Sequence, residues 1–148
     1  MELITTWLRC MGIICRGLPA MVAGSLRDTG LHESHIFCLL AVCQRPGESQ
    51  EALSHLLLID KSTMTRVASS LERAGFVERR RSETDRRSYG LYPTERAFEL
   101  LPRLVEALRE CQSVALRDMS PEEGELLCDL VEHMARNVSR GPAVEEES

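Results

Sequence analysis

Three groups of residues in this 148-residue chain have types and spacings that could do chemistry. The first is a concentration of cations. Lys61, Arg66, Arg73, Arg79, Arg80, Arg81, Arg86 and Arg87 stand in one stretch with only Glu72, Glu78, Glu83 and Asp85 to oppose them. That stretch carries +4 within a chain of net charge −5, so the remainder holds −9. Local charge, not the total, decides whether a surface attracts phosphate. The second group is the six cysteines, at 10, 15, 38, 43, 111 and 128. None has the spacing of a zinc knuckle or a thioredoxin-like site, and a chain of this length needs no disulfide framework, so reduced thiols are the simplest reading. The third is His32, Glu33, His35 and Cys38. His35 and Cys38 are three apart and would share one helix face, but Glu33 and His35 fall on different faces and a third ligand would have to come from elsewhere. The reading is therefore no metal and no cofactor. No nucleophile motif or glycine-rich phosphate loop accompanies these residues, which points away from an enzyme.

The elements that must position the cations are legible from periodicity. Residues 3–22 place apolar side chains at steps of three and four, a helical stripe that Pro19 should bend or interrupt. Its arginines, Arg9 and Arg16, and the acidic Glu2 before it argue against a targeting segment, and no apolar run is long enough to span a membrane. A helix over 33–44 has Ile36, Leu39, Leu40 and Cys43 inward, and Arg45-Pro46-Gly47 ends it. A short helix at about 49–57 and a turn at Ile59-Asp60 lead to a longer helix at about 61–74. That helix has Met64, Val67, Ala68 and Leu71 on one face, polar residues on another, and Gly75 at its C-terminal end. After Gly75 the period changes: residues 76–81 and 88–93 read as two short strands with a polar tip between them. Thr94 can cap a helix bearing Phe98, Leu101, Leu104, Val105, Leu108, Cys111 and Ala115, which Pro102 should kink or divide. Ser120-Pro121-Glu122-Glu123 is a capping-box start for a last helix carrying Leu127, Leu130, Val131, Met134 and Val138. Residues 141–148 carry three glutamates and no apolar cluster, and read as a disordered acidic tail. Two short helices joined by a tight turn, then a basic hairpin, make a winged helix-turn-helix in a mainly α chain.

Linked motifs sharpen this. Ser49 through Leu53 and Ile59 through Arg66 resemble the helix-turn-helix of the MarR family of transcriptional regulators. Leu71-Glu72-Arg73-Ala74-Gly75-Phe76-Val77-Glu78-Arg79 resembles that family's passage from recognition helix to wing. Asp85-Arg86-Arg87-Ser88 with Leu91-Tyr92-Pro93-Thr94-Glu95 resembles its wing signature. The chain departs from the pattern at Leu58, where many members have glycine, at Pro93, where leucine is usual, and at Ala97, where glycine is usual. Pro93 lacks an N–H and so suits the end of an edge strand.

The resemblance implies a single domain over 1–140, with a winged core at about 31–97 and dimerisation helices at about 1–26 and 98–140. It implies a cytoplasmic, sequence-specific repressor that binds double-stranded DNA as a homodimer on a palindromic operator and is released by a small aromatic or anionic effector. Lys61, Ser62, Thr63, Thr65, Arg66 and Arg73 are the candidate recognition-helix residues, because short polar side chains let a helix approach base edges and arginine can grip guanine twice. Arg79, Arg80 and Arg81 are expected to reach backbone phosphates. Arg86 or Arg87 is expected to enter a narrow minor groove, with Asp85 pairing to an arginine at the tip. Two alternatives stand beside this: a thiol-based redox regulator using Cys10 or Cys15, and a protein-interaction module that kept the fold but lost DNA binding.

Overall fold

A computed structural model of the protein describes residues 2–81 and 89–140; the proposed wing tip, with Asp85, Arg86 and Arg87, and the acidic tail lie outside the described residues. The chain divides into two compact units, Met1–Gln112 and Ser113–Ser148. The first holds helix α1 (Glu2–Ser25), a 3-10 turn (Arg27–Thr29), helices α2 (Glu33–Gln44), α3 (Gln50–Leu57) and α4 (Lys61–Arg73), strands β1 (Val77–Arg81) and β2 (Tyr89–Pro93), and most of α5 (Glu95–Ala115). Helix α6 (Pro121–Arg140) belongs to the second unit.

The core of the first unit forms where α2, α3, α4 and the strands meet. Leu39 and Val42 of α2, Leu53 of α3, Met64 and Leu71 of α4, and Val77 and Leu91 of the strands are almost wholly buried. Each such side chain contributes on the order of 2 kcal/mol of burial. The inward face expected of α4, Met64, Val67, Ala68 and Leu71, is the one observed. Helix α2 is more enclosed than a single stripe predicts. Cys38, Ala41 and Val42 are buried along with Ile36 and Leu39, while Leu40 and Cys43 are only half-buried. Contacts with α1, α3, α4 and β2 surround it.

Neither proline divides its helix: α1 runs unbroken past Pro19 and α5 past Pro102. Each ring removes one backbone donor, and burial on both sides of it (Leu18 and Val22 in α1, Leu100 and Leu104 in α5) holds the next turn in place. Arg103, directly after Pro102, clamps Asp28 through two donors and also reaches the Ser25 carbonyl at 3.0 Å, tying α5 to the end of α1. The buried face of α5 corrects the expected register. Ala97, Leu100, Leu104, Ala107 and Cys111 are inside, whereas Phe98 is 53% exposed. Two alanines, inconspicuous beside the large apolar residues, belong to that buried face.

Helix α6 begins as expected: the Ser120 hydroxyl accepts from the Glu123 N–H and the Glu123 carboxylate accepts from the Ser120 N–H. Its apolar stripe is bare. Leu126, Leu127, Leu130, Val131 and Val138 are exposed, and Gly124 alone is buried among its described residues. Helix α1 likewise exposes Ile4, Trp7, Leu8 and Ile14.

Helices α3 and α4 end in the same backbone motif with different residues at the left-handed position. After α3, Leu58 donates to the His55 carbonyl and Ile59 to Ser54; after α4, Gly75 donates to Glu72 and Phe76 to Leu71. Gly75 takes φ 77° at no steric cost. Leu58 takes φ 52° with its side chain 60% exposed, so the turn between the two helices keeps its geometry without glycine but with strain. Leu58→Gly is expected to raise stability by about 1 kcal/mol, read as a higher urea midpoint at unchanged slope; an unchanged or lower midpoint would show the leucine to be unstrained.

At the start of α2, the His32 N–H donates to Nδ1 of His35 at 3.1 Å, so His35 must be neutral at that nitrogen. Burial, and then the charge of His32, lower the His35 pKa from about 6.5. The unfolded chain therefore takes up this proton more readily. The stabilisation is complete above about 6.5 and is lost as the pH falls toward the lower folded value. Stability should drop over that interval in the native chain and drop less in His35→Gln, whose amide oxygen still serves as acceptor; parallel pH profiles would remove His35 from the account.

Candidate nucleic-acid interface

The interface is built by two caps. Ser49 Oγ accepts from the Ala52 N–H at 3.1 Å and starts α3. Asp60 starts α4: one carboxylate oxygen accepts from the Thr63 N–H at 2.8 Å and from Ser62 Oγ at 2.5 Å, and the other accepts from Thr63 Oγ1 at 2.6 Å. These donors, hydroxyls first, hold the Asp60 carboxyl far below the usual carboxylate range. With Met64, Val67, Ala68 and Leu71 committed to the core, the opposite side of α4 must face solvent. Thr65, Arg66, Ser69, Glu72 and Arg73 line an open groove there.

Each candidate on this helix is in place, though several polar groups are already engaged. Lys61 pairs with Glu51 of α3 at 2.6 Å. Ser62 Oγ and Thr63 Oγ1 donate to the Asp60 carboxylate. Thr65 Oγ1 donates to the Lys61 carbonyl at 2.8 Å, and Arg66 Nη2 donates to Thr63 Oγ1 at 3.1 Å. Arg73 is exposed in the last turn.

Strands β1 and β2 pair antiparallel, Val77 opposite Pro93 and Arg81 opposite Tyr89, so Pro93 ends its strand as expected. The other edge of β2 is covered by the segment before α3. The Gly47 N–H donates to the Leu91 carbonyl at 2.8 Å and the Leu91 N–H to the Glu48 carbonyl at 3.0 Å, with Ser49 bridged to Gly90. The approach is so close that a Cβ on Gly90 would lie 2.3 Å from the Gly47 carbonyl oxygen. An isolated glycine within a strand pattern is the sequence signal for such an approach, and Gly90 carries it.

The stem arginines differ in their freedom. Arg80 pairs with Glu78 and lies 4.9 Å over the Tyr92 ring; Arg81 lies 5.9 Å over Tyr89. Both are exposed. Arg79, expected at a phosphate, is half-buried: it donates to the Glu72 carboxylate and to Ser69 Oγ at 3.1 Å, and with the Gln50 amide turned so that its oxygen faces the guanidinium, that oxygen accepts from Nε and Nη2 at 3.0 Å. One guanidinium thus joins α3, α4 and β1. Gln50 escapes sequence reasoning because Arg79 is distant along the chain, and Glu72 because the turn at Gly75 lies between it and Arg79; only the folded register brings them together.

The carbonyls of the turn that follows α4 tie it to the end of β2 and the start of α5. Thr94 Oγ1 donates to the Gly75 carbonyl at 2.7 Å, the Thr94 N–H to Phe76 at 3.1 Å, and Arg96 Nη1 to the Ala74 carbonyl at 2.7 Å. Away from this surface, Cys10 and Cys15 are exposed on α1, whereas burial pushes the Cys38 thiol up to about 12. His35 and Cys38 gain no third ligand; among the described residues no three His, Cys, Asp or Glu side chains gather to hold a metal. No described helix is long and apolar enough to cross a membrane.

The Arg79 geometry makes a distinct prediction. Arg79→Ala should lower stability by about 1 kcal/mol, since Glu72 and Gln50 lose a shared donor, and should leave the salt slope of DNA binding near that of the native chain. A slope reduced by about one with stability unchanged would return Arg79 to the phosphate backbone.

Comparison with known proteins agrees with this architecture. The MarR family model matches residues 31–89. The uncharacterized HTH-type transcriptional regulator YybA of Bacillus subtilis is 28% identical over 133 residues, covering 90% of this chain and 89% of YybA. The transcriptional regulator SlyA superposes with a TM-score of 0.83 at 29% identity, over 90% of this chain and 94% of SlyA. A Listeria monocytogenes protein assigned to the MarR family, solved in complex with a 26mer DNA, superposes with a TM-score of 0.84 at 26% identity, over 90% of this chain and 89% of that one. Helix-turn-helix, glycine-ended α4, hairpin, the family model over residues 31–89 and the matched regulators all converge on the MarR family of winged helix-turn-helix transcriptional regulators.

Proposed function

We propose that the protein is a repressor that binds double-stranded DNA as a homodimer, with α4 in the major groove and the hairpin along the adjacent backbone. The observation that carries this reading is the two-sidedness of α4: one face is buried in the core, and the other presents Lys61, Thr65, Arg66 and Arg73 to solvent. The Listeria relative that was solved with DNA supports it. In this reading Arg80 and Arg81 meet phosphates, and Arg86 or Arg87 enters the minor groove with Asp85 fixing the tip.

The bare apolar stripes of α1 and α6 support dimerisation through residues 1–26 and 98–140 around a winged core at 31–97, since exposed apolar faces of this size call for a partner. Two-fold symmetry then sets the operator as a near-palindrome with half-sites a helical turn or a multiple apart. Release follows if a small aromatic or anionic effector binds the conformation unable to span the two half-sites more tightly than the one that can.

The test pairs two measurements. Fluorescence anisotropy against DNA upstream of the protein's own gene, with a shuffled duplex as control, should show tight, salt-sensitive binding to the upstream duplex alone. Light scattering should give about twice the chain mass of 16.7 kDa, with Leu130→Glu shifting the protein toward monomer and weakening DNA binding. Absence of binding to either duplex at low salt would instead favour a protein-interaction role, and a monomeric mass with full affinity would end the dimer reading.

A further inference from the structure

We propose that Thr63 and Asp60 are positioning residues for base reading, acting through Arg66; this rests on the proposal that α4 reads DNA. The three side chains form a directional chain. Arg66 Nη2 donates to Thr63 Oγ1 at 3.1 Å, and Thr63 Oγ1 donates its only hydrogen to the Asp60 carboxylate at 2.6 Å. The Asp60 carboxylate has no proton to give, so it fixes the direction of the whole chain: the Thr63 oxygen can only accept from Arg66. Hydrogen bonds in such series strengthen one another.

Geometry makes this more than a helix cap. The cap itself needs only the Thr63 N–H and one oxygen of Asp60, which meet at 2.8 Å. The second carboxylate oxygen and the Thr63 hydroxyl are surplus to that bond: the carboxylate oxygen holds the hydroxyl, and the hydroxyl oxygen in turn accepts from Arg66. Residues three apart on a helix are neighbours, so the series 60, 63, 66 runs up one line of α4 and holds the guanidinium at the groove it lines with Thr65, Ser69, Glu72 and Arg73. A guanidinium has five N–H donors. One is held by Thr63, and the remaining donors include the pair needed to grip the O6 and N7 edge of a guanine. An arginine on an exposed helix otherwise samples many rotamers; one held in advance loses less freedom on binding.

The test uses the full-length protein and a duplex selected from a randomised pool, together with all single-base variants of that duplex. Arg66→Ala comes first and identifies the base pair at which discrimination collapses. Thr63→Val, which keeps the shape and removes the hydroxyl, is then expected to reduce discrimination at that same base pair about tenfold, with other positions and the salt slope unchanged. Asp60→Asn, which keeps a competent cap but supplies an N–H where Thr63 needs an acceptor, should give the same profile. Thr63→Ser should restore the native one, and Thr63→Val combined with Arg66→Ala should cost no more than Arg66→Ala alone. Thermal unfolding of each variant separates loss of the cap from loss of aim. Equal weakening on every duplex by Thr63→Val, or additive losses in the double variant, would reduce Thr63 to a capping residue and overturn the proposal. Should Arg66→Ala leave the whole panel unchanged, it is the assignment of Arg66 to base reading that fails, and the proposal falls with it.

Discussion

The carbonyls at the end of α4 and in the turn after it set the constraint on which the rest of this structure depends. A helix leaves its last carbonyls without partners, and here they lie close to the core, where an unmet acceptor is costly. The chain meets them in sequence: Gly75 and Phe76 fold back onto Glu72 and Leu71, Arg96 reaches the Ala74 carbonyl, and Thr94 closes onto Gly75. These donors come from successive parts of the chain, so satisfying one helix end fixes where β1 begins, where β2 ends and where α5 starts. The orientation of the recognition helix relative to the hairpin is the product of that closure, with Arg79 as a second tie nearer the groove.

Much of this was legible in the sequence because it is local. Ser120 and Glu123 cap where their spacing says they should, Gly75 ends α4, and the change of period after it announces the hairpin. What was not legible is what depends on distance or on small residues. Ala97 and Ala107 mark the buried face of α5 only once a neighbour is close, and Phe98, the more conspicuous residue, faces outward. Pro19 and Pro102 break helices in isolation but not where burial on either side retains the helical path. The role of Arg79 was hidden for the same reason. Three consecutive arginines look equivalent in sequence; the pleat of β1 sends Arg80 to the face opposite Arg79 and Arg81, and of those two it is Arg79, closer along the strand to α4, that reaches Glu72.

The exposed face of α4 is less free than its composition suggests. Ser62, Thr63 and Thr65 all donate their hydroxyl hydrogens within the helix start, and Lys61 is paired with Glu51. A count of polar side chains would treat these as equal candidates for contact with bases. Their hydrogen bonds divide them into groups that shape the helix and groups that remain available, and the second set is small.

The main-chain seam along β2 has a consequence for how such a surface can change over generations. Gly47, Glu48 and Leu91 hold the inner strand through backbone atoms, and Gly90 allows that approach by having no side chain at all. None of these bonds involves the side chains of Arg80, Arg81 or Tyr89, which lie on the exposed stem. Substitutions there touch none of the seam's backbone bonds, while a single methyl group at position 90 would run into the Gly47 carbonyl. If the stem meets DNA as proposed, its side chains can vary without altering the seam beneath them, so that target preference drifts while the support stays the same.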